Sequence, residues 1–208
     1  MVGEGVLIEC LANPAITDVL SVSRRPAGYT HTKLREYIVP DFMSLKENDM
    51  NLQGYDACFF CAGVTSIGKK EPEFTRLTYD TTLHFAKAVG SKSQVTFVYV
   101  SGRGTDSTEK GRLMWARVKG KTENDLMKLP FKRVFAFRPG LMKATEGQKR
   151  VLTAYKYFAW LIPIIKLLGP KSFNTLSQVG KAMISLAKYG YDKNIIEIKD
   201  IHILAEKS

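Results

Sequence analysis

The chain has 208 residues, 45% hydrophobic and 25% charged, the balance of an ordinary globular protein with enough length for one well-filled domain. Three cysteines exclude a disulfide framework, and three isolated histidines (His31, His84, His202) have no metal-ligand spacing, so no metal site is expected. The net charge of +11 favours an anionic partner: a phosphorylated cofactor, an acidic lipid surface or nucleic acid, unless it is simply a basic, solvated surface.

The basic residues are spread along the chain without interleaved aromatics, which argues against nucleic acid. The opening MVGEGVLIEC lacks a basic n-region and a small-residue cleavage site, so no secretory leader is expected and a cytoplasmic location is the default. The longest apolar run, Tyr157 to Leu168, contains Pro163 and Lys166 and falls short of the ~20 apolar residues that a membrane span needs.

In chain order, Val6, Leu7, Cys10 and Leu11 have helical spacing, which predicts a helix over 3–12 stopped by Asn13-Pro14. A short β-type run, Val19 to Ser23, ends at Arg24-Arg25-Pro26, and a weaker strand covers Tyr37-Ile38-Val39. Ala57 to Cys61 is a clear strand ending at Ala62-Gly63. Strand residues i and i+3 face opposite sides, so Cys58 and Cys61 should diverge as inert core thiols and not act as a redox pair.

A helix is predicted from about Glu71 to Val89, with Phe74, Leu77, Leu83, Phe85 and Ala86 as its apolar positions. The β-branched and aromatic run Val95 to Val100 follows, then a helix over Lys110–Leu129 and a strand over Arg133–Phe137 that leads into Arg138-Pro139-Gly140. The last third reads as helical around 147–168 and 175–189 and closes with a strand-like Ile195–Leu204. Alternating strands and helices with short connections predict a doubly wound, mostly parallel α/β sheet. A single domain is expected, with 1–145 as its nucleotide-binding part and 146–208 as a C-terminal helical elaboration.

Taken together, Met1-Val2-Gly3, Ser23-Arg24-Arg25, Asp41-Phe42, Cys61-Ala62-Gly63, Val100-Ser101-Gly102, Lys119 and Arg138-Pro139-Gly140 form an ordered set, each at a strand's carboxyl end or opening a helix. In this the sequence resembles the atypical short-chain dehydrogenase/reductases, the NAD(P)-binding Rossmann proteins often labelled nucleoside-diphosphate-sugar epimerase-like. The resemblance implies a dinucleotide beyond the carboxyl ends of the strands, its phosphates on a helix N-terminus. Of the family's G-x-x-G-x-x-G loop only the last part, Met1-Val2-Gly3, is present, with Gly3 as the third glycine. The resemblance therefore implies an N-terminally truncated sheet, as in a fragment, because a gap there leaves buried backbone groups unpaired at ~1–3 kcal/mol each.

The resemblance also assigns residue roles. Val2 and Gly3 belong to the cofactor-binding loop, with Gly3 letting helix and strand pack closely, and Asp41 and Phe42 border the adenine. Cys61, Ala62 and Gly63 let backbone pass near the ribose, and Pro139 lies by the nicotinamide end. Arg24 and Arg25 stand where NAD-specific proteins carry an acidic residue, which predicts NADP(H) over NAD(H), because guanidinium groups suit a 2′-phosphate. Ser101 and Lys119 occupy the family's catalytic serine and lysine positions, where the lysine also holds the ribose.

The family's catalytic tyrosine, four residues before the lysine, is Trp115 here, and an indole cannot relay a proton as a phenol does. Two other Tyr-x-x-x-Lys matches, Tyr29/Lys33 and Tyr189/Lys193, lie off the relevant helix. Two readings stay open: an NADP(H)-dependent oxidoreductase or epimerase acting on an unidentified small molecule (a carbonyl compound or sugar nucleotide), and a non-catalytic cofactor sensor or interaction scaffold. Tyr155, Tyr157, Phe158 and Trp160 fall in the family's variable substrate region, where they serve a pocket, a dimer contact, a membrane-facing patch or ordinary packing. Positive charge and the 157–168 stretch make peripheral membrane contact a third option.

Overall fold

A computed structural model of the protein describes residues 1–90, 92–143, 148 and 173–207. Helix α1 (Val2–Ala12) leads to strand β1 (Val19–Ser23), which pairs in parallel with β2 (Leu34–Ile38). Strand β3 (Ala57–Phe60) is followed by α2 (Glu71–Thr75), a π-helical turn (Arg76–Asp80) and α3 (Thr81–Ala88). Then come β4 (Thr96–Val100), α4 (Met114–Leu126), β5 (Arg133–Phe137) and β6 (Leu141–Lys143). The chain continues through β7 (Phe173–Thr175), α5 (Leu176–Tyr189), β8 (Ile195–Ile196) and α6 (Ile198–Ala205).

The strands form a parallel four-stranded sheet in the order β3-β4-β5-β8, with β1-β2 and β6-β7 as separate parallel pairs. Alternation along each strand sends side chains into two apolar layers. Phe59, Cys61, Val98, Phe135 and Phe137 join α1, α5 and α6 on one face. Cys58, Phe60, Phe97, Tyr99 and Val134 pack against α3 and the end of α4 on the other. The expected divergence of Cys58 and Cys61 follows from this alternation. Helices α1 and α5 approach closely because two glycines face the contact. A Cβ on Gly5 would lie 2.7 Å from the Leu176 Cβ, and one on Gly180 would lie 2.6 Å from the Glu9 Cγ.

Several expectations need correction. The weak strand before Pro40 runs from Leu34 to Ile38, not over 37–39. Thr78, four residues after Phe74 and so on the same helix face, is buried, whereas Leu77 is only half-buried. The stretch 101–113 is a loop, and the helix begins at Met114 instead of Lys110. Asp106 holds that loop by accepting from Thr108 N (3.0 Å) and Gly111 N (2.7 Å), and Glu109 adopts a φ of 61°, which a helix cannot accommodate.

The largest change is at 195–204, where only Ile195–Ile196 is strand and Ile198–Ala205 is helix. Glu197 and Asp200 form a reciprocal cap, and Ile198, Ile201 and Leu204 bury a helical stripe. Burial of such side chains contributes roughly 1.5–3 kcal/mol each, more than the partial alternation of this segment could yield in a strand. The predicted helix over 147–168, with its aromatic residues, lies outside the described residues, apart from Gln148.

Candidate functional site

Strand β1 and strand β3 make no hydrogen bonds to each other, and between them lies a cavity of ≈ 1500 Å³. Its wall includes Gly3, Arg24, Arg25, Phe42, Cys61, Ala62 and Gly63. Seven of the residues singled out in the sequence thus meet at one space, although they come from four separate stretches of chain. Arg24 and Arg25 are exposed, and neither guanidinium has a carboxylate partner among the described residues. A Cβ on Gly3 would lie 3.3 Å from the Cys61 Cβ, so the start of α1 sits against the carboxyl end of β3 with no room to spare. A Cβ on Gly63 would meet nothing within 4 Å, which leaves its backbone open to a ligand.

Asp41 does not reach the cavity wall; its Oδ1 accepts from Met43 N at 2.9 Å and caps the 3-10 turn that orients Phe42. The Phe42 ring packs on Phe85, with centroids 5.4 Å apart. Val2 packs into the apolar layer beneath the sheet. Glu4, in the first turn of α1, accepts from the Tyr29 hydroxyl at 2.7 Å, an acidic side chain at the helix start that the sequence reading did not weigh. Burial pushes the Cys10 and Cys61 thiols up to about 12 and raises Cys58 as well, so all three stay protonated and unreactive near neutral pH.

Ser101, Lys119 and Trp115 form a second cluster at the end of β4. The Lys119 ammonium donates to the Ser101 carbonyl, and burial lowers its pKa. The Ser101 hydroxyl, buried, points to the Phe137 carbonyl at 3.3 Å. The Trp115 ring lies against Gly104, whose Cβ would be 3.4 Å from the indole. Pro139 is buried and its carbonyl accepts from Arg103 N at 3.0 Å. The geometry therefore joins serine and lysine through a backbone carbonyl and puts an indole, not a phenol, beside the loop after β4. Tyr29/Lys33 belongs elsewhere, since Lys33 donates to the Asn13 carbonyl at 2.8 Å at the end of α1. Lys193 of the Tyr189/Lys193 match pairs with Asp200 at 2.9 Å.

Sequence reading missed Glu123, one helical turn beyond Lys119. Its carboxylate is buried and receives the Arg138 guanidinium through two nitrogens, Nε at 3.0 Å and Nη2 closer still. Arg138 also donates to Ser107 Oγ at 2.6 Å and reaches Glu197 at 3.4 Å. One cation thus ties α4, the 101–113 loop and the start of α6 to the end of β5. The available signal was the i, i+4 spacing of Lys119 and Glu123, together with an arginine at a strand terminus.

No known protein-family profile matches the chain. It is 28% identical over 165 residues to the protein fmp52, mitochondrial, of Emericella nidulans, covering 76% of this chain and 70% of that one. It is 29% identical over 154 residues to the protein HTATIP2 of Rattus norvegicus, covering 71% of this chain and 61% of that one. Among solved structures, the UDP-N-acetylglucosamine 4-epimerase of Methanobrevibacter ruminantium superposes with a TM-score of 0.66 at 14% identity over 95% of this chain and 72% of that one. The UDP-glucuronic acid 4-epimerase of Bacillus cereus in complex with NAD gives 0.65 at 13% identity over 95% and 73%. The PhqB reductase domain of Penicillium fellutanum gives 0.64 at 12% identity over 96% and 64%. The chain has the mostly parallel, α/β Rossmann-like fold of these epimerases and reductases.

Proposed function

We propose that this chain is an NADP(H)-binding protein of the short-chain dehydrogenase/reductase or epimerase type, a single domain whose cofactor-binding part is 1–145 and whose substrate side lies in 146–208. The observation that carries this reading is the meeting of Gly3, Arg24, Arg25, Phe42 and Cys61–Gly63 on the wall of the one cavity that runs between β1 and β3, where those two strands end. Arg24 and Arg25 would hold the 2′-phosphate, Phe42 the adenine side, and the open backbone of Gly63 the ribose. The residues fit that group because two arginines with no carboxylate partner among the described residues and an uncovered glycine backbone line the same space. The B. cereus epimerase that shares the fold holds NAD, and a related structure of it holds UDP-glucuronic acid with NAD, which supports a dinucleotide with a small carbonyl or sugar-nucleotide substrate.

When bound, the cofactor would supply hydride transfer. Lys119 would anchor its ribose, and Ser101 would position the substrate oxygen. Fluorescence titration of NADPH against the wild-type chain and an Arg24→Ser/Arg25→Ser variant tests the reading. Loss of charge-assisted contacts worth ~1.5–3 kcal/mol should weaken NADPH roughly 10–100-fold and leave NADH unchanged. Absence of binding at millimolar NADPH, or equal weakening of both cofactors, overturns it.

Trp115 supports a second reading, a cofactor-binding module without catalysis, because nothing at its position can relay a proton. NADPH oxidation over a carbonyl panel should be negligible in the wild type and should appear in Trp115→Tyr if the remaining machinery is intact. A brisk wild-type rate removes the non-catalytic reading. A cytoplasmic location is proposed with it; the fmp52 relative is named mitochondrial, so fractionation of cells expressing the full-length protein decides between the two compartments.

A further inference from the structure

A smaller cavity of ≈ 300 Å³ lies beside the amino end of β5, away from the strand ends that carry Ser101 and Arg138. Arg133 opens β5 and Arg138 follows it, so roughly 16 Å of strand separates this cavity from the Glu123–Arg138 tie. One wall is the connection from α4 to β5, with Met127, Leu129 and Phe131. The other is the connection from α5 to β8, with Tyr191 and Asn194. Lys132, exposed, stands at the rim, which it shares with the amino end of the larger cavity.

The shortness of β8 leaves this space. It pairs with β5 only at Ala136 and Phe137, so the first three residues of β5 have one edge without a neighbouring strand. Ala136 N donates to the Asn194 carbonyl at 2.8 Å, and Arg138 N donates to the Ile196 carbonyl at 2.9 Å. With a period of two, the N–H of Val134 points to that same edge, and it has no acceptor among the described residues. Val134 is buried and lines the cavity, so this donor faces the cavity.

The Arg133 guanidinium lines the same space, half-buried, and makes no hydrogen bond or ion pair with any described residue. It lies against Gly190, where a Cβ would be 2.9 Å from its Cζ and where φ is 71°. Nearby acids do not neutralise it. Asp200 accepts from the Tyr191 hydroxyl at 3.1 Å and from Lys193 at 2.9 Å, and the exposed Asp192 forms no ion pair with it. The Asn194 side-chain amide also has no partner among the described residues. A guanidinium, a strand N–H and an amide thus converge with nothing accepting from them, whereas such groups in folded proteins ordinarily have partners.

We propose that this cavity binds a phosphate monoester with a small apolar body. Arg133 and the Val134 N–H would hold the phosphate oxygens, with Asn194 as a further donor and Lys132 as the second positive charge. Two cations match the roughly −1.5 to −2 charge of a phosphate monoester near neutral pH, whereas a carboxylate would leave one uncompensated. Met127, Leu129 and Phe131 give the organic part an apolar wall, and the volume, at the lower end of small-molecule sites, keeps that part small.

Isothermal titration of the full chain with phenyl phosphate, inorganic phosphate and benzoate at constant ionic strength tests the proposal. Phenyl phosphate should bind at least about tenfold more tightly than either of the others, and saturation should slow amide exchange at Val134. Arg133→Met should weaken phenyl phosphate by about tenfold or more without lowering Tm, because it removes an unpaired, half-buried charge. Asn194→Ala, an exposed change on a connection, should weaken it by about threefold. Arg24→Ser/Arg25→Ser should leave phenyl phosphate affinity unchanged, so the cofactor reading and this site fail or stand separately. No saturable binding at millimolar phenyl phosphate overturns the proposal. So does equal affinity for benzoate or inorganic phosphate, or unchanged affinity in both Arg133→Met and Asn194→Ala.

Discussion

Replacing Glu123 with leucine leaves the Arg138 guanidinium buried without its main counter-charge. At the observed 3.0 Å and an effective dielectric near 20, the pair attracts by roughly 5 kcal/mol, much of it offset by the cost of taking both groups out of water. Removal of one partner is the expensive change, at about 3–5 kcal/mol, because the other charge stays behind. For a chain of 208 residues each kcal/mol moves Tm by about 2–4 °C, so Glu123→Leu should lower Tm by roughly 6–20 °C. Arg138→Met should do the same. The double variant should be more stable than the sum of the single losses by at least about 2 kcal/mol, since it buries no unpaired charge. Calorimetry and urea unfolding of the four proteins close the cycle. A Glu123→Leu shift under about 3 °C, or strict additivity, would refute the assignment of this pair as the tie between α4 and β5.

Two further outcomes follow from the geometry. A Cβ on Gly120 would fall 1.8 Å from the Asp106 carbonyl oxygen, so Gly120→Ala must displace the 101–113 loop. The roughly 1 kcal/mol gained in helix propensity is outweighed by strain, and the urea midpoint should fall by an amount equivalent to about 2 kcal/mol net; a rise would contradict the packing described. Asp125 receives Lys128 at 2.6 Å, Lys121 at 2.9 Å and the Tyr79 hydroxyl at 2.7 Å, and these bonds hold its carboxyl far below the usual carboxylate range. Its folded pKa lies below its unfolded one, so this stabilisation is full above about pH 4 and is lost as pH falls further. Asp125→Asn should flatten the acid limb of a stability–pH profile, and an unchanged limb would discount the cluster.

Residues close in sequence carried much of this fold. The short β-type run Val19–Ser23 and the segment Arg133–Phe137 become strands with the expected bounds, and the i, i+3 alternation of Cys58 and Cys61 fixes their opposite faces. The ordered strand-end motifs were legible because an open parallel sheet collects its ligand-facing residues at the carboxyl ends. Where short windows carry two periods the sequence was ambiguous: Ile195–Leu204 reads as strand until the Glu197–Asp200 cap and the layer beneath α5 select a helix.

Tertiary structure alone decided the rest. The Arg138–Glu123 tie joins residues whose proximity depends on how α4 lies on β5, and no local pattern encodes that distance. A gap in the sheet was already implied by the resemblance, but which residues of α1, β1, β3 and the Phe42–Phe85 layer line the space between β1 and β3 was settled only by their packing. Local periodicity sets what each segment becomes, because it acts within a turn of helix or a pair of strand residues. Which segments meet, and what space they leave between them, depends on packing over the whole chain.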